Sequence, residues 1–332
     1  MKNIFKAIGI FVSAFMLTTV AFAQDQETFT IQLEDKTLPV GEFNAVNVTG
    51  DFEVTLEKGD CGVRLTVDNA LSPYVQVYVR AKTLYIGYDD KSVPKDVKKL
   101  YKAKNASKPT FRAVVTMPEI GTITAGENAV INSSVEFPAE FLQVNLSDKA
   151  VIKSLSVAST TAAITMTKNA QAVISVKAED KVELTNDGGT NIKLSANTNS
   201  LSVNGNGNAT ISIGAEVPSA TVNGNGNSKI ALAAKAEKIS VNTIANSKVV
   251  LSGETDDLNI RGEKNGETDA DGLLCKTVTA NLNGNSKASV NVSENVDVTL
   301  LGGSSLFYTG TPSFTIGKIV KSTLAPKGSA AK

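Results

Sequence analysis

Apolar residues recur in this chain as pairs one position apart, at intervals of 18–21 residues over most of its length. The pairs are Ile123/Ala125, Val144/Leu146, Ile164/Met166, Val182/Leu184, Leu201/Val203, Ala220/Val222, Ile239/Val241, Leu258/Ile260, Val278/Ala280 and Val296/Val298. A second pair follows most of them at a fixed offset: Leu155/Val157, Ile174/Val176, Ile192/Leu194, Ile211/Ile213, Ile230/Leu232 and Val249/Leu251. Alternation within each pair has the period of a strand, not of a helix. A repeat of this length built from short strands cannot bury its apolar face alone, so each copy must be completed by its neighbours. The expected fold is all-β, a parallel β-helix (solenoid) of about ten coils of 18–21 residues. Parallel crossovers are right-handed in nearly all cases, which sets the expected hand.

Stacking at about 4.8 Å per coil makes the rod roughly 45–50 Å long and places residues 19 apart above one another. Val203, Val222, Val241 and Ile260 then form one interior column. The string "VNGNGN" at 203–208 returns at 222–227, with a weaker copy, "VNTIAN", from Val241. Asn204, Asn223 and Asn242 are expected in one surface column, and Asn208, Asn227 and Asn246 in another, with amides bonded along the stack. Gly205, Gly207, Gly224 and Gly226 are expected to supply the positive φ angles of a tight corner. No helix follows whose N-terminus could face a phosphate, which argues against a phosphate-binding loop.

From Leu142 to Leu306 there is no Phe, Tyr or Trp, and histidine is absent throughout. Aromatics normally dominate core burial, so their absence fits a narrow interior of Val, Ile, Leu and Ala. Formal net charge is zero, which argues against nucleic-acid binding, since that needs a basic stripe. The two cysteines, Cys61 and Cys275, form no disulfide framework, and their pairing stays open.

Residues 1–23 have lysines at 2 and 6, an apolar stretch, and a small-x-small end at Ala21 and Ala23, the pattern of a cleavable export signal. No Cys stands at the expected cut, and no later apolar run is long enough to span a membrane as a helix. The expected division is an N-terminal β region or cap over 24–118, the β-helix over 119–318, and a disordered tail over 319–332. The first of these holds alternating strands such as "FEVTLEKG" and "TLYIGYDD" and a lysine-rich connection over 91–109. Phe307, Tyr308 and Phe314 reintroduce aromatics at the far end, as a plug would.

Two segments depart from the repeat. Lys95, Lys98, Lys99 and Lys102 in the connection could form a basic patch, although a solvated linker explains them too. Glu267, Asp269 and Asp271 belong to an acidic run over 254–271 that could hold Ca²⁺, but their spacing matches no complete calcium loop. No other cofactor is implied.

The stretch from Gly41 to Tyr88, including Gly50 and the strand Leu84–Ile86, resembles the start of the bacterial auto-transporter adhesin head domain, or head GIN domain, family. The later "ITAGENAVI" and the Asn/Gly coils are similar to its repeats. The resemblance implies a secreted or surface-associated β-helix of Bacteroidetes-like bacteria, and it brings no catalytic residues. The expected function is a non-enzymatic envelope protein that presents a repetitive polar surface to a glycan or protein partner. One alternative is a polysaccharide lyase or hydrolase, which would need a positioned base or paired carboxylates. Four arginines, no histidine and an aromatic-free rod weigh against it. A periplasmic scaffold is the other alternative.

Overall fold

The computed structural model describes residues 17–18, 31–102 and 106–328. The segment read as an export signal lies outside them apart from Leu17 and Thr18, which pair with Ile31 and Gln32. The described chain is almost entirely strand and stacks into a β-solenoid of about eleven turns. Val203, Val222, Val241 and Ile260 sit in direct register on successive rungs. All four are buried.

Each regular coil has two strands. One carries three inward positions, for example Leu201, Val203 and Gly205; a short turn follows, and then a strand such as Thr210–Glu216. The three-position strand explains why apolar pairing alone misreads the phase. Ile164/Met166 stacks on Leu184/Asn186, not on Val182/Leu184, and Ile174/Val176 stacks on Leu194/Ala196. The third inward column runs Leu146, Met166, Asn186, Gly205, Gly224, Thr243, Gly262, Leu282, so its middle drops out of any purely apolar pattern.

The glycines of "NGNGN" do two different jobs. Gly207 and Gly226 occupy the left-handed turn position, with φ of 63° and 72°. That column also holds Glu127, Asp148, Lys168 and Ala245, which tolerate the conformation at some cost. Gly205 and Gly224, expected to share it, are extended and face inward. A Cβ on Gly205 would meet Ile230 Cδ1 at 3.0 Å, and one on Gly224 would meet Ser247 Cβ at 3.1 Å. These two are glycine because the interior has no space left.

A column of small residues closes the same corner: Ala150, Ala170, Thr190, Ala209, Ser228, Ser247, Gly266 and Ser286. Each carbonyl accepts from a backbone N–H one coil up, as in Lys229 N to Ala209 O at 2.8 Å and Lys248 N to Ser228 O at 2.9 Å. Turn backbone groups thereby find partners without large side chains.

The stack begins earlier than position 119. Ala45–Val48 pairs in parallel with Thr122–Ala125, and Glu53–Leu56 with Val130–Ser133. Between these coils the chain adds a rung outside the first, with Thr83–Tyr88 parallel to Ala45–Val48 and Phe111–Met117 parallel to Glu53–Lys58, and also carries antiparallel strands. Gly62–Asp68 runs antiparallel to Phe111–Met117 and to Ile31–Leu38, while the hairpin Val75–Arg80/Thr83–Tyr88 lies beside Ala45–Val48. Phe52, Phe111 and Tyr88 pack together there, with ring centroids 5.1 and 4.8 Å apart. At the other end, Ser313–Val320 and Thr323–Pro326 are strands, so the described part of the tail expected to be disordered from 319 is strand-forming, and its last four residues lie outside the described residues. Tyr308 and Phe314 meet at 4.8 Å, whereas Phe307 follows the buried Leu306 and lies on the outer side of its strand.

Candidate binding groove

Where the second strand of one coil bends into the first strand of the next, an inward residue is flanked by outward ones on both sides. Ala178, Thr198, Val217, Ala236, Thr255, Cys275, Val292 and Gly310 are the inward residues of eight successive coils. All are small or medium-sized, so the corner is concave and the floors join into a groove enclosing about 1200 Å³. One wall is a register column of Asn197, Glu216, Lys235, Glu254, Leu274 and Asn291. The other includes Glu179, Asn199, Pro218, Glu237, Asp256 and Lys276. Eight rungs at about 4.8 Å make the groove roughly 35 Å long.

Its electrostatics are uneven. Lys235 pairs with Glu254 at 3.3 Å, and Lys276 with Asp256 at 2.6 Å. The bond to Asp256 holds the Lys276 ammonium above the usual lysine range. Glu179, Glu216 and Glu237 have no ion pair among the described residues, so the half of the groove nearer the N-terminus is acidic and rich in amides. Thr255 in the floor is satisfied by the Glu237 carbonyl at 3.2 Å. The lining thus offers carboxylates, amides and hydroxyls, with Val217, Pro218 and the exposed Leu274 as apolar relief.

Cys275 is in the floor, and burial pushes its thiol up to about 12, so it is no nucleophile at neutral pH. Both cysteines are free thiols. We expect Cys275 to resist iodoacetamide at pH 8 in the native protein and to react once the chain is unfolded. Rapid native labelling at Cys275 would show that the corner opens. Because the folded thiol lies above its unfolded value, its contribution to stability is complete below about pH 9 and is lost as the pH rises toward 12.

The residues singled out in the sequence lie elsewhere. Asn223 Nδ2 donates to Asn204 Oδ1 at 2.8 Å, and Asn242 Nδ2 to Asn223 Oδ1 at 2.7 Å. Asn227 donates to Asn208 at 3.2 Å and Asn246 to Asn227 at 3.5 Å. The first column follows Thr185 and is succeeded by Arg261, which turns aside to Glu263 at 2.9 Å. These amides line the outer face of the three-position strands and the adjacent turns, away from the groove.

The acidic residues are engaged separately. Glu267 pairs with Lys248 at 2.5 Å, Asp269 accepts from Ser289 at 3.3 Å, and Asp271 pairs with Lys327. Among the described residues no group of three or more acid or thiol side chains is gathered to hold a metal ion. The lysine-rich connection contains a six-residue helix, Lys95–Leu100, in which Lys98 pairs with Asp90 and Lys99 with Asp96. Among the described residues Lys95 and Lys102 have no such partner. The groove itself was not foreseen: its floor mixes Ala, Thr, Val, Cys and Gly, and only the coil register reveals that they align.

Fold and groove together define a β-solenoid with a lateral cleft running along its axis. The sequence matches the family described as "Putative auto-transporter adhesin, head GIN domain" over residues 42–216 and again over 212–312, and the chain belongs to that family. No curated protein matches it. Among solved structures, a "putative adhesin" from Parabacteroides merdae is 17% identical, with 89% of this chain and 95% of that one covered and a TM-score of 0.38. A "putative adhesin" from Parabacteroides distasonis is 17% identical, with 89% and 96% covered and a TM-score of 0.44. A "Putative lipid binding protein" from the same organism is 16% identical, with 89% and 96% covered and a TM-score of 0.33. Among the described residues no helix is long and apolar enough to cross a membrane.

Proposed function

We propose that this chain is an exported, non-enzymatic adhesin-type protein that binds an extended polymer along its lateral groove, a glycan strand being the ligand its lining fits best. The observation that carries the reading is the continuity of the groove over eight coils, which suits a long ligand better than a compact one. Its carboxylates, amides and hydroxyls match the dense donors and acceptors of sugars. The signal pattern at 1–23 supports export, and the family supports adhesion. Catalysis would need a base and a partner held in reacting geometry. The groove carboxylates are instead either bound to lysines or spread singly along the walls.

A glycan array probed with the purified protein tests the ligand, with arms containing EDTA and Ca²⁺. The double variant Glu216→Lys/Glu237→Lys should weaken binding of the best glycan about tenfold or more, or about 1.4 kcal/mol, while the thermal midpoint stays put. Binding that survives this change would remove the groove as the site. Cleavage of any polysaccharide, seen as new reducing ends or unsaturated products, would overturn the non-enzymatic reading. A periplasmic scaffold is distinguished by protection from protease added to intact cells.

A further inference from the structure

The groove lining carries five carboxylates, Glu179, Glu216, Glu237, Glu254 and Asp256, against two ammonium groups, Lys235 and Lys276. Both ammonium groups have partners. Lys235 stands in register between Glu216 and Glu254 and bonds to Glu254 at 3.3 Å, while Lys276 bonds to Asp256 at 2.6 Å. Lys177, in register with Asn197 at the head of the same wall, is bonded to Glu136 at 2.9 Å. Glu179, Glu216 and Glu237 are left without an ion pair among the described residues, all within four successive rungs. A cleft lined by one sign of charge focuses the field inside it and gathers the opposite sign.

We propose that the ligand of this groove is a β-linked polymer of amino sugars whose amines are free and protonated, an inference that rests on the glycan reading above. The placement of the carboxylates supports it as well as their sign. Glu216 precedes the floor residue Val217 on one wall, and Glu237 follows the next floor residue, Ala236, on the other. The step between them is one rung, marked by the bond from Glu237 N to Pro218 O at 3.0 Å. That step, about 4.8 Å, is close to the length of one sugar in a β-1,4-linked chain. Successive sugars of such a chain are turned over, so their C2 substituents alternate from side to side. Amines at C2 of two neighbouring sugars therefore meet Glu216 on one wall and Glu237 on the other, and Glu179 draws a third amine two rungs before Glu216. A neutral or N-acetylated chain would strip water from these carboxylates and return no counter-charge. A basic peptide strand is cationic too, but its side chains on one face recur about every 6.7 Å, out of step with the rungs.

Isothermal titration at pH 5.5 compares two probes of equal length and linkage, the β-1,4-linked glucosamine hexamer and its fully N-acetylated counterpart. The free-amine hexamer should bind at least about tenfold more tightly, an advantage that shrinks as salt screens the charges. Glu216→Gln/Glu237→Gln keeps the shape of both walls and should abolish the preference while the N-acetylated hexamer binds as before. Glu267→Gln, outside the groove, should change neither affinity. A hexalysine peptide should bind more weakly than the amino-sugar hexamer. Equal or tighter binding of the N-acetylated hexamer, a preference that survives the double substitution, or hexalysine binding as tightly would each overturn this inference and leave the glycan reading standing. If neither hexamer nor any glycan on the array binds, both fall together.

Discussion

Gly224→Leu will destabilise the rod by about 3 kcal/mol, the upper range for overpacking a filled core. The position belongs to a column that elsewhere accepts Leu146, Met166, Leu282 and Leu300, so the residue type is not foreign to the site. The difference lies in what surrounds it. Even a single carbon on Gly224 would come within 3.1 Å of Ser247 Cβ and 3.3 Å of Ser228 Oγ. One coil below, the room beside Gly205 is taken by the δ-methyls of Ile211 and Ile230. Three further carbons must displace the backbone of this coil or the next. Stability in a solenoid is a sum over coils and the contacts between neighbours, so a wedge at the middle weakens the coupling of the two halves. Urea titration followed by circular dichroism should show an earlier midpoint and a broader or split transition. An unchanged midpoint would mean that the interior has slack that the packing does not show.

That glycine also marks where sequence pattern stops speaking. The repeat, the strand type and the alignment of Val203, Val222 and Val241 are legible because apolar residues at inward positions are enforced by burial on every rung. The third inward position is not legible, because its neighbours leave no room for a side chain: Ile211 and Ile230 crowd Gly205, Ser228 and Ser247 crowd Gly224, and Leu282 and Ser286 crowd Gly262. Asn186 shows the same blindness from the polar side: it is fully buried between Met166 and Gly205, and its amide atoms have no hydrogen-bond partner among the described residues. The groove escapes notice for a related reason. Its floor is set by how sharply the backbone bends, and Ala178, Thr198 and Val217 share no chemistry that a repeat search would weigh. The start of the stack was hidden by topology, since Val46 and Ile123 are rung neighbours with the whole antiparallel excursion between them.

Phe52→Ala will cost about 3–5 kcal/mol, the range for truncating a fully buried phenylalanine, but the loss should be confined to one end. Phe52 is in the first coil, Phe111 on the strand that returns to the stack, and Tyr88 at the end of the hairpin. Their contacts tie together three segments that are remote in sequence and lie side by side at the N-terminal end. Removing the Phe52 ring leaves a cavity beside Phe111 that only these segments can relax into. The middle coils keep both of their neighbours, so their backbone hydrogen bonds should open no more often than before. Hydrogen exchange should therefore accelerate in Ala45–Val48, Glu53–Lys58 and Phe111–Met117 while the strands around Val203, Val222 and Val241 hold their protection. If protection instead fell equally along the rod, the excursion and the coils would form one cooperative unit, and the end could not open without the whole stack.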